Sequence, residues 1–232
     1  MTGGITHILF DLDDTLFDFH RAEKEALRKT LIHFGVDPTD EILSRYSVIN
    51  QAQWKLLEQG KLTRAQVKVR RYQLLFEEFH LSFDPTEAAK TYESLLSIGH
   101  YFIPGAEQLL ENLCKDYNLY IVSNGTTAVQ EGRLKSADLS RFVKRIFISE
   151  AVGFNKPSRE FFDACFAQIP DLSKDKTIIV GDSLSSDIQG GINAGIRTVW
   201  FNPKGDVNDS IVQPDFEIRV LEDLYDILTK LA

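Results

Sequence analysis

Apolar and polar positions follow a helical spacing over roughly residues 19 to 100. In this stretch apolar residues recur three and four positions apart, which predicts amphipathic helices. Turn-forming residues, among them Gly35, Gly60 and the Asp84-Pro85 pair, separate the helical runs. We therefore predict four helices, over residues 21–34, 40–59, 63–79 and 86–100. Thr63-Arg64-Ala65-Gln66 has the form of a capping box at the start of the third helix.

After Pro104-Gly105 the spacing changes to short, continuous apolar runs that alternate with helical segments. Such runs are typical of strands that are buried on both faces of a parallel sheet. The predicted strands cover residues 8–10, 119–122, 146–148, 177–180 and 197–201. The helices between them cover residues 106–115, 127–136, 158–168 and a glycine-rich stretch in which Gly190 and Gly191 indicate close backbone packing and Gly195 a helix end.

The strand at residues 8–10 is followed by no other predicted strand until about residue 119. The four helices therefore form an insertion into the sheet. We predict the α/β fold class, with a Rossmann-like parallel-sheet core made of residues 1–17 and 103–232. Residues 18–102 form the inserted four-helix domain.

Composition and charge indicate which kinds of binding partner and which cellular setting the chain suits. The chain has 232 residues and a formal net charge of -8, so no broad basic field exists to attract a nucleic-acid polymer. We expect no signal peptide and no membrane span, because no apolar stretch is long enough. Cys114 and Cys165 lie in amphipathic patterns that suit buried thiols, which favours a reduced cytoplasmic setting. The sequence leaves the oligomeric state open.

The first candidate chemistry lies where the first strand ends. Asp11 follows an apolar run directly, and Asp13 lies two positions later. If the chain leaves the strand there, the two carboxylates converge on one point, and their repulsion needs compensation. A hard divalent cation such as Mg²⁺ provides it through oxygen ligands, and a raised pKa on one carboxyl is the other route. The alternative is an ordinary acidic turn after a strand.

Three more polar motifs follow later strands. Ser123 and Asn124 follow the second strand and offer hydrogen bonds to a phosphate oxygen, although such residues also form plain turns. Lys156 precedes a predicted helix and offers a point charge, unless it is a solvated surface lysine. Asp182 follows the fourth strand and offers a further metal ligand. Asp187 either orients a metal-bound water, pairs with Lys156, or is a first-turn helix acid.

Taken together, Asp11-Leu-Asp13-Asp14-Thr15, Ser123-Asn124-Gly125, Lys156-Pro157 and Gly181-Asp182 with Asp187 resemble the motifs of the haloacid dehalogenase (HAD) superfamily. The helical insertion after the first motif resembles the cap of one subclass of its phosphohydrolases. The resemblance covers the whole chain. It implies a phosphatase rather than a 2-haloacid dehalogenase, because the dehalogenase branch lacks an acid at the position of Asp13.

The resemblance also implies roles for individual residues. Asp11 is expected to attack phosphorus and become an aspartyl-phosphate, and Asp13 to act as general acid and then general base. Mg²⁺ is expected on the Asp11 and Asp182 carboxylates and the Asp13 backbone carbonyl. Phosphoryl oxygens are expected to bind the side chains of Ser123 and Lys156 and the backbone amides at Leu12 and Asn124.

Softer matches resemble the branch of 5′-nucleotidases that favours pyrimidine and non-standard nucleotides. They include the cap segment at residues 48–54 and the segment at 186–195. The implied substrate is a small phosphomonoester, a nucleoside monophosphate, with Asn50 or Trp54 as possible base contacts, although a tryptophan on an amphipathic helix is more often a core residue. The alternatives are a phosphosugar phosphatase or phosphomutase, and a non-catalytic binding or regulatory protein on the same scaffold.

Overall fold

A six-stranded, fully parallel sheet forms the centre of the molecule in the computed structural model, which describes residues 4–232. The strand order is β3-β2-β1-β4-β5-β6. The strands are β1 His7–Phe10, β2 Asn118–Ser123, β3 Arg145–Ile148, β4 Thr177–Gly181, β5 Arg197–Phe201 and β6 Phe216–Ile218. Because β1 lies between β2 and β4, the carboxyl ends of these three strands are neighbours.

Helices cover both faces of the sheet and fill the insertion after β1. Those of the insertion are α1 Phe19–His33, α2 Asp40–Glu58, α3 Arg64–Glu78 and α4 Pro85–Leu96. The others are α5 Ala106–Leu113, α6 Thr127–Ser136, α7 Ser149–Val152, α8 Arg159–Phe166, α9 Gln189–Ala194 and α10 Leu224–Lys230. A π-helical turn, Leu184–Ile188, leads into α9. None of the helices formed by the described residues is long and apolar enough to cross a membrane.

Alternate residues of each central strand contribute to different cores, as side-chain alternation requires. Ile8, Ile121 and Val180 pack on one face of the sheet with α5 and α10. Leu9 and Ile179 pack on the other face with α8 and α9. Both faces are therefore dry, which explains why the strands are continuously apolar in sequence.

The inserted helices, which we call the cap, have a hydrophobic core of their own. Its centre is three fully buried tyrosines, Tyr46, Tyr72 and Tyr92, whose rings lie 5.3 to 6.0 Å apart. The two chain segments that join cap and sheet run side by side, with Phe17 bridged to Phe102 in antiparallel fashion. We refer to residues 16–18 as the outgoing linker and to residues 97–103 as the returning linker.

Sequence reasoning erred at a few element ends. The helix predicted over residues 86–100 ends at Leu96, because the chain must leave it to pair with the other linker. Strand β6 was not predicted because it is only three residues long, and helices α7 and α10 were not predicted either. Residues 1–3, part of the predicted core segment and of the stretch in which a signal peptide was judged absent, lie outside the described residues.

Three glycines have the roles predicted for them. A Cβ added to Gly190 would lie 2.6 Å from the Phe162 ring, and one added to Gly191 would lie 2.6 Å from side chains of β4 and β5. Gly195 follows α9 at a positive φ of 73°, which ends the helix. The glycines thus let α9 approach the sheet closely.

Candidate active site

The predicted acids meet at the carboxyl edge of the sheet. Asp11 follows β1 and Asp182 follows the neighbouring strand β4, so parallel pairing brings them together across 171 positions of sequence. Thr15 links them, since its hydroxyl lies 3.5 Å from Asp11 Oδ2 and 3.3 Å from Asp182 Oδ1. Asp11 therefore belongs to a cluster of acids from two neighbouring strands rather than to an isolated acidic turn.

Lys156 is the cation at the centre of this group. It is 1 % exposed, and its Nζ lies 2.5 Å from Asp11 Oδ1, 2.7 Å from Asp187 Oδ1 and 2.8 Å from the Val122 carbonyl. Asn124 fixes the loop that carries the lysine by donating to its carbonyl and accepting from its amide. The reading of a solvated surface lysine is wrong, and of the readings for Asp187 the pairing with Lys156 is observed.

Burial controls the electrostatics. It raises the pKa of Asp11 to about 8, against the lowering effect of Lys156. Burial, together with the nearby carboxylates of Asp11 and Asp187, raises the pKa of Asp182 well above its ordinary value. The two carboxylates raise the pKa of Lys156 despite its burial. The site therefore carries more carboxylates than its own lysine can neutralise.

This excess of carboxylate fits a hard divalent cation. Asp11, Asp182 and Asp187 each offer a carboxylate oxygen, and these oxygens lie within 4.8 Å of one another. Oxygen donors of this kind suit Mg²⁺. Asp187 already binds Lys156 and accepts from the Ser183 amide at 3.1 Å, so Asp11 and Asp182 are the acids better placed to accept a cation.

Asp13 points toward helix α6 rather than toward the other acids. Its Oδ1 pairs with Arg133 and its Oδ2 accepts from Gln130 Nε2 at 2.5 Å. Gln130 Nε2 also lies 2.9 Å from the hydroxyl of Ser123, which is 1 % exposed. Sequence reasoning missed Gln130 and Arg133, because polar residues three apart on a predicted helix carry no signal of their own.

A cavity of about 240 Å³ lies between the sheet edge and the cap. Asp11, Asp13, Ser123, Asn124, Lys156, Asp182 and Asp187 line it from the core. The cap contributes Phe19, Trp54, Glu58, Arg71, Glu93 and Leu96. A substrate held at Asp11 would therefore contact the cap as well.

The two predicted cap contacts differ in their surroundings. Trp54 lines the cavity. Asn50 is 2 % exposed and, among the residues that the structure describes, is not part of the cavity wall. Its amide donates to Glu23 at 2.6 Å and accepts from Arg71 at 3.0 Å. Asn50 thus orients Arg71, which does line the cavity.

A further residue, Arg64 at the start of α3, reaches from the cap to the loops of the core. Its Nη2 lies 3.1 Å from the Asn124 carbonyl, 2.7 Å from Ser149 Oγ and 2.9 Å from Asn155 Oδ1. Two of these partners adjoin the site, because Asn124 binds the lysine loop and Asn155 precedes Lys156. The sequence shows Arg64 only as the residue after a helix cap.

Comparison with known proteins shows which protein family the chain resembles. A family model described as haloacid dehalogenase-like hydrolase matches residues 8–201. The HAD-hydrolase YfnB of Bacillus subtilis is 42 % identical over 221 residues, which cover 95 % of this chain and 94 % of YfnB. The pyrimidine 5′-nucleotidase PynA of Streptococcus pneumoniae is 40 % identical, with 96 % and 94 % of the two chains covered.

The fold is also similar to a solved structure. The crystal structure of YfnB bound to magnesium superposes with a TM-score of 0.93 at 41 % identity, covering 97 % of this chain and 99 % of that one.

Proposed function

We propose an activity for this chain from a premise that the family match establishes: it belongs to the haloacid dehalogenase-like hydrolases. The proposed activity is Mg²⁺-dependent hydrolysis of a phosphomonoester through an aspartyl-phosphate on Asp11. The observation that carries it is a carboxylate held by a buried lysine at the floor of a cavity, with a second acid, Asp13, on the same wall.

In the proposed first step, an Asp11 oxygen forms a bond to phosphorus while the bond from phosphorus to the ester oxygen breaks. Asp13 gives a proton to the departing alkoxide. In the second step, a water attacks phosphorus, gives a proton to Asp13 and displaces the Asp11 oxygen. The products are an alcohol and inorganic phosphate, and both aspartates return to their starting states.

Lys156 and the polar groups of the second motif would hold the phosphoryl oxygens. Lys156 supplies positive charge at Asp11, where the phosphoryl group must arrive. The Ser123 hydroxyl and the backbone amides at Leu12 and Asn124 would supply neutral donors. Positioning and neutralising a phosphoryl group is most of what such a reaction requires.

The Asp11 and Asp182 carboxylates and the Asp13 backbone carbonyl would hold Mg²⁺. When bound, the ion neutralises charge on the carboxylates and on the phosphoryl oxygens. Support comes from the raised pKa values of both acids and from the solved relative that is bound to magnesium. Asp187, paired with Lys156, would support the metal site from outside.

The proposed substrate is a nucleoside monophosphate. PynA and the pyrimidine 5′-nucleotidase YjjG of Escherichia coli, 29 % identical over 96 % of this chain, support this choice. The cavity places an indole, Trp54, and a charged side chain, Arg71, on the cap side, where a base would lie. Asp13 disfavours the dehalogenase alternative, because a departing halide needs no proton. A cytoplasmic location is part of the proposal and is tested by cell fractionation.

Phosphate release from a panel of nucleotides, sugar phosphates and 2-haloacids tests the proposal. We expect nucleoside monophosphates to rank first, with Mg²⁺ required and Asp11→Asn inactive. Asp116→Asn, which changes an exposed acid, is the matched control.

Other outcomes would identify the alternatives. Sugar phosphates ranking above every nucleotide would favour the phosphosugar phosphatase, and an isomerised product without phosphate release would favour the mutase. No hydrolysis of any phosphomonoester, unchanged by Asp11→Asn, would favour a binding protein.

A further inference from the structure

Both carboxylate oxygens of Asp13 are held from one helix. Arg133 pairs with Oδ1, and Gln130 donates to Oδ2. The two α6 residues also orient each other, since an Arg133 terminal nitrogen donates to Gln130 Oε1 at 3.0 Å. The position of the Asp13 side chain is therefore fixed by α6 rather than by its own loop.

Arg133 also contacts both linkers between core and cap. Its Nε donates to the Gly99 carbonyl at 2.8 Å in the returning linker. Its guanidinium lies over the rings of Phe17 and Phe19, 5.1 and 5.8 Å from their centroids, in the outgoing linker and the first turn of the cap. The Arg133 guanidinium thus contacts Asp13 and both linkers. Any movement of the cap relative to the core has to occur at these linkers.

The arginine is an expensive residue for a purely structural role. It is fully buried, and its Nη2 has no hydrogen-bond partner among the residues that the structure describes. Taking a guanidinium out of water costs several kcal/mol, and well-packed apolar residues often serve stability as well. The buried charge of Arg133 is explained if the arginine serves to position the Asp13 carboxylate.

Helix α6 is closely packed against the returning linker. A Cβ added to Gly132 would lie 2.6 Å from the Ser97 carbonyl oxygen and 2.9 Å from the Ser97 Cβ. Real Cβ atoms do not approach that closely, so the linker and α6 cannot move toward each other there. A displacement of the linker toward α6 at Ser97 would therefore push on the helix that carries Arg133.

We propose that Arg133 is a positioning residue that couples the linkers of the cap to the placement of Asp13. The inference rests on the proposed role of Asp13 as the acid and base of a phosphatase. Gln130 completes the device by holding the second Asp13 oxygen and the Ser123 hydroxyl. Through Arg133, the acid is correctly placed only for one position of the linkers.

Two substrates with different leaving groups test the proposal on the full chain. The nucleoside alkoxide of uridine 5′-monophosphate needs a proton from Asp13, whereas p-nitrophenolate leaves p-nitrophenyl phosphate without one. For Arg133→Met we expect kcat on the nucleotide to fall about 10- to 100-fold with little change in KM, because general acid catalysis is worth about 100-fold or more. The same variant should release p-nitrophenol in a rapid burst equal to the enzyme concentration and then turn over slowly.

A burst that is slowed in proportion to the fall in kcat on the nucleotide, or a burst smaller than the enzyme concentration, would mean that Arg133 only stabilises the fold, and would overturn the proposal. Lys135→Met, which removes an exposed cation from the same helix, is the matched control and should behave as wild type. Asp13→Asn should also keep the burst with p-nitrophenyl phosphate, and its kcat on the nucleotide should fall further than that of Arg133→Met. If wild type hydrolyses neither substrate, the proposed function fails, which is a different result.

Two further variants keep the test decisive if Arg133→Met does not fold. Gln130→Met removes the donor to Asp13 Oδ2 and should give the same signature more weakly. Gly132→Ala leaves both side chains intact and displaces the linker at Ser97. This variant should also slow hydrolysis of the nucleotide more than it slows the p-nitrophenol burst. Equal slowing of the two rates would exclude the coupling.

Discussion

At the scale of single residues, the site depends on one buried cation between two acids. The Lys156 ammonium group donates to Asp11, Asp187 and a backbone carbonyl, and the side chain is buried from solvent. Removing one partner of a buried ion pair leaves an uncompensated charge, which costs far more than the pair contributes net. The lysine therefore matters for stability as well as for the phosphoryl binding that we propose for it.

Lys156→Met should lower the free energy of unfolding by about 3 kcal/mol at neutral pH, because Asp187 loses its buried counter-charge. Urea denaturation without Mg²⁺ measures the change, and phosphate release should be lost at the same time. Lys90→Met, which breaks an exposed lysine pair on α4 with Glu87, should leave the denaturation midpoint near that of wild type. Equal midpoints for all three proteins would contradict the buried-pair account.

The raised pKa of Asp11 makes the stability of the metal-free protein depend on pH. Between the ordinary carboxyl pKa of 3.8 and the folded value of about 8, the folded protein holds a proton on Asp11 that the unfolded chain has released. The free energy of unfolding attributable to Asp11 therefore falls as pH rises through this range. Asp182, whose pKa is also raised, acts in the same direction.

In the proposed metal site Mg²⁺ binds the ionised acids, so its stabilising effect should be larger at pH 8.5 than at pH 5.5. Thermal denaturation with Mg²⁺ or with EDTA at the two pH values measures this difference. In Asp11→Asn, which cannot ionise at this position, both the pH slope without metal and the added effect of Mg²⁺ should shrink. An effect of Mg²⁺ that is independent of pH in wild type would contradict the assignment.

The sequence was informative for residues that follow strands and much less so for residues on helices. Asp11, Ser123 and Asp182 could be placed at one edge because parallel strands end together. Gln130 and Arg133 could not, because their positions depend on how α6 lies against the linkers. Lys156 was found by motif, but its burial depends on three chain segments meeting.

At the scale of elements, the spacing of apolar residues predicted most of the strands and helices. The capping box predicted at Thr63 is confirmed, with Gln66 as its second residue. The contact of the cap with the core could not be predicted, since it depends on tertiary geometry. Arg64, one residue after that cap, is the first residue of α3 and reaches the loops that hold Asn124 and Lys156. The start of this helix is therefore one of the places where the cap is held to the core.

Arg64→Met should weaken the closed arrangement of cap and core. Charged hydrogen bonds are worth about 1.5 to 3 kcal/mol, so their loss should raise the nucleotide KM about 10-fold as the closed population falls. Solution X-ray scattering should show a larger radius of gyration for the substrate-free variant. The control is Lys61→Met, which removes an exposed cation just before α3. Unchanged KM and scattering for Arg64→Met would show that other contacts hold the cap.

At the scale of the whole molecule, paired linkers join the cap, which has one hydrophobic core, to the sheet, which has a hydrophobic core on each face. The cap packs around its own tyrosine cluster, while the sheet is covered on both faces by other helices. The linkers are held to each other, with Asp18 donating to the Tyr101 carbonyl at 2.7 Å and Ile103 donating to the Leu16 carbonyl at 2.9 Å. The domain limits predicted from the sequence, residues 18–102 for the cap and 1–17 with 103–232 for the core, stay a prediction, and the paired linkers suggest how to test it.

Removing the cap should leave a core that folds. Because Phe17 and Phe102 form an antiparallel bridge, a two-residue Asn-Gly turn can replace residues 18–101 without stretching the chain. Val129, the residue of α6 that packs into the cap core, should be changed to Ser to keep the new surface polar. We expect cooperative thermal unfolding by circular dichroism at a lower midpoint than that of the full chain.

Such a core keeps Asp11, Ser123, Lys156 and Asp182 at the sheet edge but loses Trp54 and the Gly99 carbonyl that binds Arg133. It should still release p-nitrophenol from p-nitrophenyl phosphate with Mg²⁺, while nucleotides lose their advantage over other alkyl phosphates because the cap surface that would hold the base is gone. The same deletion carrying Asp11→Asn should be inactive. If the deleted protein unfolds without cooperativity, cap and core form one folding unit and the domain limits are wrong. If it folds and still prefers nucleotides, recognition of the base resides in the core, and Trp54 has no part in it.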